Sequence, residues 1–243
     1  MSKKVINQNT NYDFELLNSI ESNFIFDEKP INRVNNTTHH LKTKNTTDNI
    51  NKEKLLAELK SQINSIEDCS LKENSKTIIL GDGNINSPIM LIGEAPGASE
   101  DKVGLTFLGE TGDLLNKMLI AINIKKENIY STYAVNFRPP EDRKPTSAEI
   151  KKYSQFLQDH ISIIKPKIII LMGSTAMESL TGLNSKISIE RGIWKEVIIK
   201  NTNYNVIITF NPSYLLRVPE NKKYSWEDLK KIKQKILELD LHI

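Results

Sequence analysis

The chain has 243 residues, of which 38% are hydrophobic and 26% charged, with a formal net charge of +3 and four histidines; that is enough apolar material for one core if a polar appendage is set aside. The single cysteine, Cys69, excludes an internal disulfide and a cysteine-ligated metal cluster within one chain, and His39, His40, His160 and His242 lack zinc-ligand spacing. The segment after Met1 is polar rather than signal-like, no apolar run approaches the ~20 residues needed to cross a bilayer, and the sequence pI of about 8.7 permits a polyanionic partner, so a soluble protein of a reducing cytoplasm is expected.

Residues 1–51 are rich in Asn, Thr, Ser and Lys. Such a tract cannot bury enough apolar surface to offset its ordering entropy, so it reads as a polar, disordered N-terminal extension, with the folded domain taken as 52–243. Inside the extension Phe14, Leu16, Leu17 and Ile20 leave a short docking helix open beside a solvated tail. At 51–66, Leu55, Leu56, Leu59, Ile63 and Ile66 recur at three- and four-residue spacing and predict a helix. Residues 77–80 read as a short strand, Gly81-Asp82-Gly83-Asn84 as a turn, and 88–92 as a buried strand. That strand feeds Gly93-Glu94-Ala95-Pro96-Gly97, followed by Glu100, Asp101, Phe107 and a helix at 111–122. A strand is predicted at 129–135. Pro139, Pro140 and Pro145 then make an extended loop. Thr146 or Ser147 caps a helix at 148–164, with Glu149 near the third helical position.

Residues 167–172 form an apolar run suited to a central parallel strand, with a helix at 176–180. Residues 194–199 and 205–210 read as paired strands, Asn211 to Arg217 as a loop directly after a strand, and 225–239 as a closing helix. Strands alternating with helices predict an α/β fold, a three-layer α/β/α sandwich with a central, largely parallel sheet. In such sheets ligands sit beyond the carboxyl ends of strands. By itself the Gly93–Gly97 turn reads equally as a pocket floor or as an ordinary strand-to-helix loop.

Several blocks stand in a telling order: Gly81-Asp82-Gly83-Asn84; Gly93-Glu94-Ala95-Pro96-Gly97-Ala98-Ser99-Glu100-Asp101; Gly104 to Gly109 with Gly112-Asp113-Leu114-Leu115; Arg138-Pro139-Pro140 with Arg143; Gly173; Arg191-Gly192; and Asn211-Pro212-Ser213-Tyr214-Leu215-Leu216-Arg217. Over about 68–239 this set resembles the uracil-DNA glycosylase superfamily, and its family-4 type most. The resemblance implies a metal-free, cofactor-free glycosylase of DNA base-excision repair. It would flip uracil out of single- or double-stranded DNA and hydrolyse its N-glycosidic bond, as a monomer and without a membrane. Two alternatives stay open: a degenerate member that binds DNA without excision, and a glycosylase with altered base preference.

The same resemblance implies roles for particular residues. Glu94 is the pocket-facing carboxylate that stabilises the sugar cation and orients water, and Glu100 is the alternative carboxylate. Phe107 stacks on the base, with Gly93, Ala95, Gly97 and Tyr133 around it. Asn211 assists the leaving group where relatives have histidine. Tyr214, Leu215 and Leu216 match a wedge that fills the gap left by the flipped nucleotide, and Ser213 beside them belongs to the DNA-binding set. Arg217, Arg138 and Arg143 suit phosphates. Two departures stand out. Tyr133 occupies the place of an asparagine that reads the uracil edge, with Asn136 nearby in a different register. The positions of four cluster-binding cysteines align with Ile66, Cys69, Phe137 and Tyr153, so no iron–sulfur cluster is expected.

Overall fold

The computed structural model describes residues 33–67 and 69–243. The chain divides into two units, 1–45 and 46–243, and the sheet lies in the second. The first helix, α1 (Arg33–Asn64), runs back through the tract read above as unstructured; no glycine or proline interrupts it. The apolar cluster at 14–20 lies outside the described residues.

A short helix, α2 (Ser70–Asn74), follows. The expected strand at 77–80 is not formed. The edge strand is instead β1 (Asp82–Gly83), which pairs antiparallel with β3 (Tyr130–Tyr133); Gly83 takes a positive φ of 99° there, and a Cβ would stand 2.1 Å from the Ile129 carbonyl oxygen. Then come β2 (Ile89–Gly93), α3 (Ala98–Val103) and α4 (Gly109–Ile120) before β3, and α5 (Ser147–Ile164), β4 (Ile168–Met172) and α6 (Ser174–Thr181) after it. The chain continues with α7 (Ile187–Glu190), the antiparallel pair β5 (Trp194–Ile199) and β6 (Thr202–Thr209), α8 (Pro212–Arg217) and α9 (Lys222–Glu238).

The six strands are ordered β1-β3-β2-β4-β6-β5. From β3 to β6 every pairing is parallel, with antiparallel strands at both edges. The order reverses at β2, which neighbours both β3 and β4. Alternation along β2 sends Met90 and Ile92 to one face and Ile89 and Leu91 to the other. The first face is covered by Leu56, Leu59 and Ile63 of α1 and by α5 and α6. The second is covered by Leu115 and Leu119 of α4, Leu215 of α8 and Ile232 of α9. These are the three layers expected.

Capping follows the sequence. Thr146 accepts from the Glu149 N–H at 3.3 Å while the Glu149 carboxylate accepts from the Thr146 N–H at 2.7 Å. The core also buries a histidine. His160 Nε2 lies 2.9 Å from the Tyr130 hydroxyl, and burial pulls its pKa down from 6.5 to about 3. Between those values the unfolded chain binds a proton that the fold does not. The His160 contribution is therefore complete above about pH 6.5 and is lost as pH falls toward 3. Urea unfolding across that window should show stability falling with acidity, and His160→Gln should flatten the slope; an unchanged slope would remove His160 as its cause.

Candidate active site

Each parallel strand delivers one group to the carboxyl edge of the sheet. β3 ends at Tyr133, β2 is followed by Glu94, β4 by Gly173, and β6 by Phe210 and Asn211. Glu94 Oε2 accepts from Asn211 Nδ2 at 3.1 Å, and Oε1 accepts from the Thr175 hydroxyl at 3.0 Å. Asn211 is the N-cap of α8, and its Oδ1 accepts from the Ser213 N–H at 3.0 Å. That bond faces the amide oxygen toward the helix and turns the NH₂ toward Glu94, leaving its second N–H for another acceptor. β2 and β6 are not neighbours; β4 lies between them. Gly173, at φ 103°, is where the Glu94 side chain passes over β4, and a Cβ there would stand 2.8 Å from Glu94 Cγ and Cδ.

The loop before α4 is clamped along its backbone. Asp82 accepts from the Thr106 N–H at 2.8 Å and from its hydroxyl at 2.6 Å. The Phe107 N–H donates to the Tyr133 hydroxyl at 2.8 Å, and the Leu108 N–H donates to Glu100 Oε1 at 2.8 Å. Lys126 donates to the carbonyls of Thr106 and Phe107 at 2.8 and 3.2 Å. Phe107 itself has φ 50°, a left-handed conformation that a bulky residue keeps only when its surroundings over-determine it. Its ring packs against Tyr133 with centroids 5.1 Å apart and planes tilted by 38°. Burial, with Glu100 nearby, pushes the Tyr133 phenol well above its ordinary pKa, so it stays protonated.

Two cavities flank the Glu94–Asn211 bridge. The smaller, about 230 Å³, is lined by Glu94, Ala95, Gly97, Glu100, Phe107, Tyr133, Arg143, Asn211, Ser213 and Arg217 among the expected residues. Gly93 is not in the lining; it lies behind, where a Cβ would be 2.7 Å from the Tyr133 ring and 2.8 Å from that of Phe107. The larger cavity, about 630 Å³, shares Glu94, Lys144, Asn211 and Arg217 with the smaller one and adds Arg191, Tyr214 and Tyr224.

Several expectations change. Leu215 is 1% exposed in the core under the sheet, so it cannot serve as a wedge, whereas Leu216 is 36% exposed on the surface. Asn136 does not replace Tyr133 as an edge reader, because its amide donates to the Ile79 carbonyl at 2.9 Å. Both Glu100 oxygens hold backbone, Oε2 accepting the Gly97 N–H at 3.1 Å and Oε1 that of Leu108. This makes Glu100 a brace between the glycine turn and the Phe107 loop. Arg138 pairs with Asp142 at 2.7 Å and Arg143 with Glu149 at 2.7 Å; the Arg143 hydrogen bond holds the Glu149 carboxyl at about 2. Thr175 and Thr111 were missed. The signal for Thr175 was its place just beyond the β4 carboxyl end.

The four positions matched to cluster cysteines do not fit an iron–sulfur cluster. Phe137 and Tyr153 are buried edge to face at 6.3 Å, the Tyr153 hydroxyl lies 3.1 Å from Cys69 Sγ, and Ile66 packs against the same core. Aromatic rings close this corner, and a lone thiolate cannot hold a cluster. Among the described residues no group of three or more His, Cys, Asp or Glu is placed to hold a metal ion.

The sequence model of the Uracil DNA glycosylase superfamily matches residues 80–232. The type-4 uracil-DNA glycosylase of Thermotoga maritima is 34% identical over 184 residues, which span 75% of this chain and 95% of that protein. That of Archaeoglobus fulgidus is 32% identical over 181 residues, 73% of this chain and 91% of the relative. A DNA polymerase of Bacillus phage SP01 is 27% identical over 161 residues, 66% of this chain but 17% of that polymerase.

Two substitutions test the framework, one beside the cavity and one in the closed corner of Cys69, Phe137 and Tyr153. Glu100→Ala strands two backbone N–H groups and should lower unfolding free energy by about 1–3 kcal/mol, where a merely solvent-facing carboxylate would change it little. Tyr153→Ala should lower it by about 3–5 kcal/mol, as a core aromatic does; a loss near zero would mean the ring packs nothing. Urea unfolding curves measure both.

Proposed function

This chain belongs to the uracil-DNA glycosylase superfamily, and from that premise we propose that it removes uracil from DNA by hydrolysis at the smaller cavity, with Glu94 and Asn211 as the catalytic pair. The observation that carries the residue assignment is the 3.1 Å hydrogen bond from Asn211 Nδ2 to Glu94 Oε2 at the mouth shared by both cavities. Uracil leaves the stack and enters the cavity lined by Phe107 and Tyr133. The N1–C1′ bond breaks with its electron pair going to the base, and negative charge grows on the uracil oxygens. The free N–H of Asn211 is the donor to that charge. The Glu94 carboxylate stabilises the positive charge at C1′ and takes a proton from the water whose oxygen bonds to C1′. The products are free uracil and an abasic site.

In this reading Arg217, exposed at the mouth of both cavities, meets phosphate. Leu216, exposed where Leu215 is buried, is the residue of α8 that enters the duplex. The active unit is a monomer in the cytoplasm. Tyr133 favours a second reading, recognition without excision or of another base. Its ring, braced against Phe107, stands where an amide reads the uracil edge in the family resembled.

The test is excision from a labelled uracil oligonucleotide, single-stranded and as a U·G duplex, in EDTA. Wild type should yield alkali-labile product. Glu94→Gln should slow it by about 10²–10³-fold with unfolding free energy nearly unchanged. Gly173→Ala should slow it as well, since its Cβ would displace the Glu94 side chain, and should also lose about 1–3 kcal/mol of stability to backbone strain. DNA binding without product would support the second reading, and full activity in Glu94→Gln would remove Glu94 from the chemistry.

A further inference from the structure

The larger cavity is not needed to hold a flipped uracil, yet it opens onto the same Glu94–Asn211 bridge. Its volume, about 630 Å³, lies within the range of about 300–1,000 Å³ typical of ligand sites. One wall is a ladder of π surfaces. Phe210 and Tyr214 stack with centroids 5.1 Å apart, and the Arg191 guanidinium lies 5.8 Å from the Phe210 centroid and 5.3 Å from that of Tyr224. The guanidinium is held in place: Nε donates to buried Asp228 at 3.0 Å, and the Tyr224 carbonyl accepts from the same group. Asp228 also accepts from the Thr209 hydroxyl at 2.8 Å, and Gly192, at φ 67°, lets it approach because a Cβ would meet Oδ1 at 2.3 Å. Tyr224 is 43% exposed, with Lys223 Nζ 4.9 Å from its ring centroid. The rest of the lining includes Lys144, Lys186 and Arg217.

Aromatic faces on one wall and cations around the rest match the make-up of single-strand nucleic-acid grooves, where bases stack and phosphates are followed by charge. The two cavities share Glu94, Lys144, Asn211 and Arg217, so a strand that places a base in the smaller one runs past the larger. We propose that the larger cavity seats the unstacked base of the nucleotide adjacent to the target on the same strand, with Tyr224 as its exposed stacking face. The inference rests on the DNA reading above and deepens it. A paired duplex must give up stacking at two positions to satisfy the site, whereas a single strand gives up none that is paired. Uracil in single-stranded DNA is therefore the favoured substrate class.

The experiment uses the full chain and short single-stranded oligonucleotides with natural neighbours, or with the 5′ or the 3′ neighbour replaced by a tetrahydrofuran spacer that keeps the phosphate. Affinity is read by fluorescence anisotropy with deoxypseudouridine at the target, whose carbon–carbon glycosidic bond is not hydrolysed. Excision is read in parallel with deoxyuridine. A spacer on one side, and not the other, should weaken binding by about ten-fold, within the range of base–aromatic stacking. Tyr224→Ala should weaken binding of the natural oligonucleotide by a similar factor and that of the spacer oligonucleotide by less than about two-fold. Equal affinity for all three oligonucleotides would overturn the inference and leave the cations holding backbone alone. A spacer effect on binding without any excision would keep the base seat and defeat the excision reading; excision indifferent to either spacer, with affinity unchanged, would do the reverse.

Discussion

Glu94 leaves the carboxyl end of β2 and meets Asn211 beyond the end of β6, and the strand between them has to let it pass. Adjacent strands lie about 4.8 Å apart, so the two strand ends are two spacings apart, and the glutamate and asparagine side chains close that gap between them. Gly173 follows β4 at the crossing point, and its missing Cβ is the opening. The Thr175 hydroxyl at the start of α6 then holds the second carboxylate oxygen. Parallel pairing brings all these strand ends to one edge, and the reversal of strand order at β2 puts the carboxylate at the crevice where such sheets bind ligands.

The second constraint is conformational. Phe107 keeps a left-handed backbone because side chains from distant parts of the chain bind the N–H and carbonyl groups of its loop: Asp82 from the edge strand, Glu100 from α3, Lys126 from the segment before β3, and Tyr133 from the end of β3. Gly112 completes the fit, since a Cβ there would overlap the Phe107 carbonyl. Tyr133 thereby does two things. Its ring forms a wall of the cavity, and its hydroxyl braces the residue opposite. An amide at this position would be too short to do the second in the same way, so the tyrosine changes the mechanics of the loop as well as the surface offered to a base.

Away from the cavity the same economy of polar contacts holds. Half-buried Arg191 pairs with fully buried Asp228, and the Tyr224 carbonyl and the Thr209 hydroxyl add one hydrogen bond to each partner. Burial of the carboxyl raises the Asp228 pKa while the threonine and arginine work against the shift. The pair ties α9 to the segment between α7 and β5 and orients the guanidinium plane toward the larger cavity. At the opposite face, the corner occupied by Cys69, Phe137 and Tyr153 is closed by packing, which is how a small region keeps its shape without cross-links.

The amino-acid order by itself determined the layers and the family. Runs such as Ile168 to Met172 have no polar face and so must be central strands, the three- and four-residue periodicities marked which helix faces turn inward, and the ordered glycine, proline and carboxylate blocks marked the loops that carry function. It did not determine where the edge strand falls, because Asp82 and Gly83 look like a turn until Tyr130 and Ser131 are there to pair with them. Nor could it separate Leu215 from Leu216, or Glu94 from Glu100, since neighbours on one helix or one loop share composition and differ only in direction. Tertiary structure decided those: α8 rotates Leu215 into the core, α3 turns Glu100 onto backbone amides, and the strand order carries Glu94 across Gly173 to Asn211. Periodicity is a local property that a sequence carries in full, whereas the meeting of residues more than a hundred positions apart depends on which strands lie side by side.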